Sequence, residues 1–403
     1  MSSDGFSTER LGRMRDVLAG HVDRGAVPGL VAAVSRRGAV HVEAIGRQAI
    51  AGAPMRRETI FRIFSLTKPI VAAATMTLVE ECRLRLDDPV DAMLPELADR
   101  RVLQRLDGPL DETVPAQRPI TPRDLLTFRM GFGLLLPPED AYPIMRAAHE
   151  LELGQGPPGM STPPEPDEWM RRLGTLPLMA QPGERWIYNT GSDVLGVLIA
   201  RVTGQPLETV LRERIFDPLG MKDTAFSVPA EKLDRFTTDY WEDIATGELT
   251  VFDAAEASQW GRPPAFPSGA AGLVSTIDDY LSFGQMLLSQ GQHGNARILS
   301  RPVVELMTMD HLTAEQRATA GPILSEGHGW GFGMGVVTRR DDIAANPGQV
   351  GWAGGLELTW FSDPREEVVA ILMTQCTRFS TLSASGPAIW RDFRTTAYAA
   401  IDD

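Results

Sequence analysis

Ser65 and Lys68 lie three positions apart in the segment Phe64–Ile70. At this spacing two side chains share one face of a helix. The lysine amine could then take the proton of the serine hydroxyl while the oxygen attacks a carbonyl carbon. The chain has three lysines (Lys68, Lys222 and Lys232) among its 39 lysine and arginine residues. Because a buried amine can lose its proton near neutral pH and a guanidinium cannot, a lysine at this position indicates base chemistry.

The neighbouring residues predict that Ser65 stands at the start of a helix. Pro69 follows Lys68 directly, and the apolar run from Ile70 to Val79 has the character of a buried helix. Proline is tolerated in the first turn of a helix, so the helix begins close to Ser65. Free N–H groups and the positive end of the helix dipole would there favour an alkoxide and disfavour a charged lysine.

A serine–lysine pair needs a second proton carrier and donors for an oxyanion. Tyr188 lies in the turn-forming segment Pro182–Gly191, just ahead of a predicted helix, and a phenol beside an ammonium would have a lowered pKa. The glycine-rich segment Gly351–Gly355 precedes a predicted strand and could bring a backbone N–H close to a substrate oxygen. Taken singly, the tyrosine also fits a packing role and the glycines a tight turn.

Composition sets limits on the class of protein. A chain of 403 residues predicts two domains or one domain with an insertion. The formal net charge of −14 argues against nucleic-acid partners. Six scattered histidines show no metal-ligand spacing, and Cys82 and Cys376 are expected to be buried free thiols, so we predict no metal and no cofactor. The N-terminus has no signal-peptide pattern and no apolar run could cross a bilayer, which predicts a cytoplasmic protein that does not contact membranes.

The elements that must position these residues follow from the hydrophobic pattern. Both chain ends show strand and helix patterns, whereas the middle is helical, with an irregular, lid-like segment at 134–170. We therefore predict a sheet domain from residues 1–80 and 226–403 and a helical domain from 81–225. The predicted helices cover 8–24, 192–202, 207–215, 277–290 and 388–400, and the predicted strands cover 30–35, 39–45, 332–338, 356–361 and 368–373.

Taken together, the motifs resemble the serine β-lactamase-like hydrolases. The segments that carry the resemblance, in family order and spacing, are Phe64–Ile70, Pro182–Gly196, Phe216–Met221, Gly272–Thr276 and Gly351–Gly355. This superfamily includes class C β-lactamases, D-Ala-D-Ala carboxypeptidases and the family VIII carboxylesterases, to which the chain is most similar. The resemblance spans roughly residues 10–395. It implies an α/β (α+β) fold, with an antiparallel sheet flanked by N- and C-terminal helices and an inserted all-helical domain.

The resemblance also assigns roles. It makes Ser65 the acylated nucleophile, and Lys68 and Tyr188 the general base and acid. It places the oxyanion between the backbone N–H groups of Ser65 and Gly355. The substrate-binding positions that it implies are Thr190, Trp352, Ala353 and Gly354.

Two positions depart from the β-lactamase pattern. Thr190 stands where those enzymes have the asparagine of Tyr-x-Asn, and Trp352 replaces a lysine that would bind a β-lactam carboxylate. Both departures favour uncharged esters, so the expected function is hydrolysis of small carboxylic esters, with a small-molecule ester as the partner. The alternatives are β-lactamase, D-amino-acid peptidase or acyltransferase activity at the same site, and a catalytically silent binding module. The oligomeric state is not predicted.

Overall fold

The computed structural model describes residues 5–135, 142–154, 163–243, 245–377 and 387–403. In these residues the α-helices are α1 Thr8–Asp23, α2 Thr67–Glu80, α3 Pro122–Leu126, α4 Pro143–Glu150, α5 Pro166–Thr175, α6 Thr190–Thr203, α7 Leu207–Leu211, α8 Asp217–Leu219, α9 Ile277–Leu288, α10 Arg301–Met307, α11 Ala314–Ala318 and α12 Ala388–Ala399. The strands are β1 Gly29–Arg36, β2 Ala39–Gly46, β3 Phe61–Arg62, β4 Arg101–Leu103, β5 Thr113–Pro115, β6 Asp239–Glu242, β7 Leu249–Asp253, β8 Val274–Ser275, β9 Gln292–His293, β10 Ala296–Arg297, β11 His328–Trp330, β12 Gly335–Val337, β13 Val350–Gly354, β14 Leu358–Asp363, β15 Val368–Thr374 and β16 Cys376–Thr377.

The main sheet joins the two ends of the chain. Its strand order is β11-β12-β13-β14-β15-β1-β2, and every neighbouring pair is antiparallel. In β1, Ala33 pairs with Ile371 on one side and with Val42 on the other. All eight residues of β1 are buried. The predicted antiparallel sheet is thus present, with an N-terminal strand inserted beside a C-terminal one.

Helices cover both faces of the sheet, and this explains why the run Leu30–Val34 of β1 is apolar without alternation. Alternate residues point to opposite faces of a strand. Accordingly Leu30 belongs to the hydrophobic cluster formed with α1 and α12. Its neighbour Val31 belongs to the main cluster, which also contains residues of α2 and α9. The same alternation separates Leu372 from Ile371 in β15.

The middle of the chain is mainly helical and includes the antiparallel pair β4–β5. Its helix α6 lies against α2, and both are buried over most of their length. The main hydrophobic cluster continues from the sheet through α2 into these helices. The proposed boundaries of the two domains therefore cross a continuous core, and the division remains a prediction.

The segment predicted to be irregular, 134–170, falls partly outside the described residues, at 136–141 and 155–162. Its described part contains α4 and the beginning of α5, two helices that the sequence pattern did not indicate.

The strands predicted at 30–35 and 39–45 are confirmed as β1 and β2, which pair antiparallel. The hairpin between β1 and β2 turns at Arg37 and Gly38, both with positive φ (48° and 86°), as a two-residue turn of this kind requires. The predicted strand 332–338 is confirmed only in its second half: β12 covers Gly335–Val337, whereas residues 332–334 follow the end of β11 at Trp330 and are not part of a strand. A turn intervenes at Gly333 (φ 74°), where a Cβ atom would lie 2.9 Å from the Lys68 carbonyl oxygen. The turn therefore packs directly against α2.

The two cysteines differ. Cys376 is a buried thiol that forms no disulfide with Cys82, as predicted, whereas Cys82 is exposed. The prediction for Cys82 was wrong because α2 ends at Glu80, which places Cys82 in the turn beyond the helix.

Among the described residues, no single helix is long and apolar enough to cross a membrane.

Candidate active site

Ser65 lies just before α2, in a segment of the chain that is otherwise buried. It lies in a 3-10 turn, Phe64–Leu66, that runs directly into α2. From Thr59 to Leu78, all of which the structure describes, Ser65 is the one residue that is not buried. Phe64, just before it, has a φ of 42°, a left-handed conformation that costs a non-glycine residue on the order of 1–3 kcal/mol. The fold thus holds the hydroxyl at a strained entry to the helix, where a substrate can reach it.

Lys68 supplies a buried amine next to this hydroxyl. Its Nζ atom lies 2.9 Å from Ser65 Oγ and donates a hydrogen bond of 2.7 Å to the Ala270 carbonyl. The side chain is fully buried. Burial lowers the pKa of Lys68 to about 7, against the opposing effect of the nearby Asp193 carboxylate. A substantial fraction of the amine is therefore neutral near pH 7 and able to accept the serine proton.

Tyr188 reaches the same hydroxyl from another element. It precedes α6, and its backbone carbonyl accepts a hydrogen bond of 2.7 Å from the Leu134 N–H. Its phenol hydrogen-bonds with Ser65, and Lys68 Nζ lies 4.6 Å from the centroid of its ring. The structure thus brings together the three side chains that the sequence singled out.

The predicted direction of the Tyr188 pKa was wrong. Burial raises the pKa of Tyr188 to about 12, although its hydrogen bonds with Ser65 and Trp352 act in the opposite direction. The expected lowering assumed a charged ammonium beside the phenol. Because desolvation leaves much of the Lys68 amine neutral near pH 7, the positive charge available to stabilise a phenolate is reduced, so Tyr188 is a neutral proton donor in the resting site.

Trp352 fixes the orientation of this phenol. Its Nε1 donates a hydrogen bond of 2.7 Å to the Tyr188 hydroxyl oxygen. An indole N–H can only donate, so the phenol oxygen accepts this bond and its own proton can point towards Ser65. Trp352 belongs to β13 and also packs edge-on against Trp330, with ring centroids 4.5 Å apart. Phe128 and Trp186 complete an aromatic cluster around Tyr188.

The end of β13 packs against the nucleophile turn. A Cβ atom on Gly354 would lie 2.8 Å from the Ile63 carbonyl oxygen, so this close approach requires glycine. Gly355 follows in an exposed turn, and its carbonyl accepts a hydrogen bond from the Thr377 hydroxyl. The end of β13 thus lies beside the nucleophile turn, and the oxyanion position between the backbone N–H groups of Ser65 and Gly355 stays a prediction.

Ala353 and Thr190, two further residues predicted to bind substrate, differ in their exposure to solvent. Ala353 is partly exposed, and its role as a substrate contact stays a prediction. Thr190 is 3% exposed, and its hydroxyl is buried and has no hydrogen-bond partner among the described residues. In this conformation the Thr190 hydroxyl does not reach solvent, so its role as a substrate contact stays a prediction.

Sequence reasoning missed Asp193, which lies in the first turn of α6. Its carboxylate accepts hydrogen bonds from Ser268 Oγ (2.7 Å) and the Ala270 N–H (3.1 Å). Burial raises the pKa of Asp193 to about 6, partly offset by these bonds and by Lys68. The sequence did contain an indication of this residue. Asp193 is the one acid in the apolar helix Thr190–Thr203, and a buried acid needs a partner.

The described residues contain no group of three or more histidine, cysteine, aspartate or glutamate side chains that could hold a metal ion. The chemistry available from the arrangement is nucleophilic attack by a serine, with an amine as base and a phenol as acid.

The sequence matches the model of a known protein family. The profile described as Beta-lactamase matches residues 14–389, most of the chain. The chain belongs to the β-lactamase family. Protein Rv1367c of Mycobacterium tuberculosis is 38% identical over 382 residues, which cover 91% of this chain and 90% of that protein. Esterase EstB of Burkholderia gladioli is 32% identical over 344 residues, covering 80% and 79%.

Among solved structures, EstCE1, described as a hydrolase with promiscuous acyltransferase activity, superposes with a TM-score of 0.80. It is 26% identical, and the match covers 97% of this chain and 99% of that one. The β-lactamase/DD-peptidase fold that the sequence implied is thereby confirmed, as is the relation to carboxylesterases. The chain is a β-lactamase-fold hydrolase with esterase and acyltransferase relatives.

Proposed function

We propose that this protein hydrolyses small, uncharged carboxylic esters through an acyl-enzyme formed on Ser65. One observation carries the proposal: a partly exposed serine lies 2.9 Å from a buried amine whose pKa is lowered to about 7. Such an amine can serve as the base for the hydroxyl at neutral pH. The relation to an esterase at 32% identity supports the same assignment.

The reaction has two halves, acylation of Ser65 and hydrolysis of the acyl-serine. Ser65 Oγ forms a bond to the ester carbonyl carbon while its proton passes to Lys68 Nζ. The carbonyl oxygen becomes an oxyanion, which the N–H groups of Ser65 and Gly355 stabilise, each by about 3 kcal/mol. The bond from carbon to the alkoxy oxygen then breaks as Tyr188 gives its proton to the departing alkoxide and regains one from Lys68. Water attacks the acyl-serine by the same route, which releases the acid and restores Ser65.

The choice of uncharged esters rests on Trp352. An indole at this position cannot form the ion pair by which a cation would bind a substrate carboxylate. Its N–H is already engaged by Tyr188, and the neighbouring rings of Trp186 and Trp330 are apolar. An apolar aromatic surface of this kind suits the acyl or alkoxy group of an uncharged ester. β-Lactamase and D-amino-acid peptidase activity are therefore the less favoured alternatives.

Acyl transfer to an alcohol is the second candidate, because it uses the same acyl-serine and differs in the group that attacks it. The acyltransferase activity described for EstCE1 supports it. Product analysis in the presence of an added small alcohol separates the two: a new ester indicates transfer, and free acid alone indicates hydrolysis.

We expect brief exposure to p-nitrophenyl butyrate, followed by acid quenching, to add one butyryl group to Ser65. The measurement is intact-protein mass spectrometry followed by peptide mapping. The β-lactam nitrocefin, tested in parallel, should give a smaller yield of adduct, because the site presents Trp352 in place of a cation. Equal or preferential acylation by nitrocefin would favour β-lactamase activity. If no ester or fluorophosphonate labels the folded protein, the catalytically silent alternative gains support.

Trp352→Phe is expected to lower kcat for a p-nitrophenyl ester about fivefold with little change in KM. The variant keeps an apolar ring but loses the bond that orients Tyr188, and one hydrogen bond is worth about 1 kcal/mol, or about fivefold in rate. Trp360→Phe is the matched control, since Trp360 pairs with Trp352 across β13 and β14 while its indole N–H bonds Ser362. An unchanged kcat in Trp352→Phe would contradict the orienting role.

A further inference from the structure

The loop Ser268–Ala271 lies between the catalytic amine and a buried acid. On one side the Ala270 carbonyl accepts the hydrogen bond from Lys68 Nζ (2.7 Å). On the other side the N–H of the same Ala270 donates to Asp193 Oδ1 (3.1 Å). A single residue thus connects two oppositely charged side chains that come from α2 and α6.

Further contacts hold this loop in place. Ser268 Oγ donates to Asp193 Oδ1 (2.7 Å) and accepts from the Ala271 N–H (3.1 Å). At Gly269 a Cβ atom would lie 2.3 Å from the Ser192 carbonyl oxygen, so the absence of a side chain lets the loop lie directly on α6. Further along, the Leu273 N–H donates to the buried Thr67 hydroxyl of α2. The position of the Ala270 carbonyl therefore depends on the Asp193 carboxylate.

The two charges also act on each other through a medium from which water is excluded. Lys68 is fully buried and Asp193 is 5% exposed. Among the described residues, the charge that affects the pKa of Lys68 is that of Asp193. The charge that affects the pKa of Asp193 is, in turn, that of Lys68. The other titratable group facing the amine is the Tyr188 phenol, which is neutral. Each charge favours the charged form of the other.

We propose that Asp193 is the positioning residue for the catalytic amine. Through the loop Ser268–Ala271 it determines where Lys68 Nζ lies, and its negative charge sets how strongly that amine holds its proton. The inference rests on the proposed role of Lys68 as the base.

The test measures Lys68 directly and does not depend on turnover. With three lysines in the chain, labelling with ¹³Cε-lysine gives three resonances, and Lys222→Arg and Lys232→Arg assign the other two. In Asp193→Asn, which keeps an oxygen acceptor for Ala270 but loses the charge, we expect the Lys68 titration midpoint to fall by about one pH unit. Removing a nearby anion makes the cationic amine less favourable, so the midpoint moves down. A midpoint equal to that of the wild type would overturn the proposal.

Asp279→Asn is the matched control. Asp279 also lies buried in the first turn of a helix and accepts hydrogen bonds from a hydroxyl and a backbone N–H, those of Thr224 and Asp223. Its removal should leave the Lys68 midpoint unchanged. A shift as large as that of Asp193→Asn would show a general effect of losing a buried acid and would also overturn the proposal.

A second test measures ester hydrolysis by the same variants. If the protein hydrolyses esters, the acid limb of the kcat/KM profile of Asp193→Asn should move to lower pH by the same amount as the Lys68 midpoint. Asp193→Ala, which also removes the acceptor, should lose a further tenfold or more in kcat. A shifted resonance in a protein that turns over no ester would retain the positioning role and refute the proposed function instead.

Discussion

Ser65→Ala is expected to abolish hydrolysis of p-nitrophenyl acetate and butyrate, with a fall in kcat/KM of at least ~10³-fold. The reason is the burial pattern around the nucleophile. From Thr59 to Leu78, Ser65 is the one residue accessible from outside, so no neighbouring hydroxyl on this segment can take its place. Removal of Oγ also leaves the Lys68 amine with no hydroxyl to deprotonate. The measurement is the steady-state rate at pH 8, together with loss of fluorophosphonate labelling.

The control for this variant is Ser282→Ala, a partly buried serine of α9 whose hydroxyl bonds the Asp278 carbonyl. It should retain activity within about twofold, as expected for a substitution away from the site. Wild-type turnover by Ser65→Ala, in a preparation free of contaminating esterase, would exclude the acyl-serine mechanism.

Lys68→Met is expected to lower kcat by about 10²–10⁴-fold, the range that general base catalysis supplies. Methionine fills the same buried space without an ionisable group. In the wild type we also expect kcat/KM to fall as the pH drops through about 7, because the protonated amine can no longer accept the Ser65 proton. That dependence should disappear in the variant. Rates measured from pH 5 to 9 test both statements.

Lys232→Met provides the comparison for Lys68→Met, since Lys232 pairs with Asp223, and Asp223 keeps its ion pair with Arg235 in the variant. It should keep the wild-type pH profile. A thermal melt of each variant separates loss of the base from loss of the fold. If Lys68→Met kept an acid limb near pH 7 and most of its activity, another group would have to be the base.

Some of the site was open to prediction because it depends on local geometry. Pro69 after Lys68 and the apolar run to Val79 place Ser65 at a helix start, and α2 begins two residues after the serine. The turn at Arg37 and Gly38 was readable in the same way, because a two-residue hairpin turn needs residues that accept a positive φ. By contrast, glycine alternates with larger residues around Gly333, a pattern typical of a strand. The local pattern does not reveal that this segment forms a turn packed against α2.

The sequence alone determined which groups are available: a serine, an amine at helical spacing, a phenol ahead of a helix, and an indole in place of a cation. Only the tertiary structure decided how these groups behave. The pKa of Lys68 falls and that of Tyr188 rises because both are withdrawn from water, and burial arises from packing between elements far apart in the chain. The links from Trp352 to Tyr188 and from Asp193 through Ala270 to Lys68 likewise join residues 164, 77 and 202 positions apart. No local pattern encodes contacts of that range, because the folding of the whole chain brings them together.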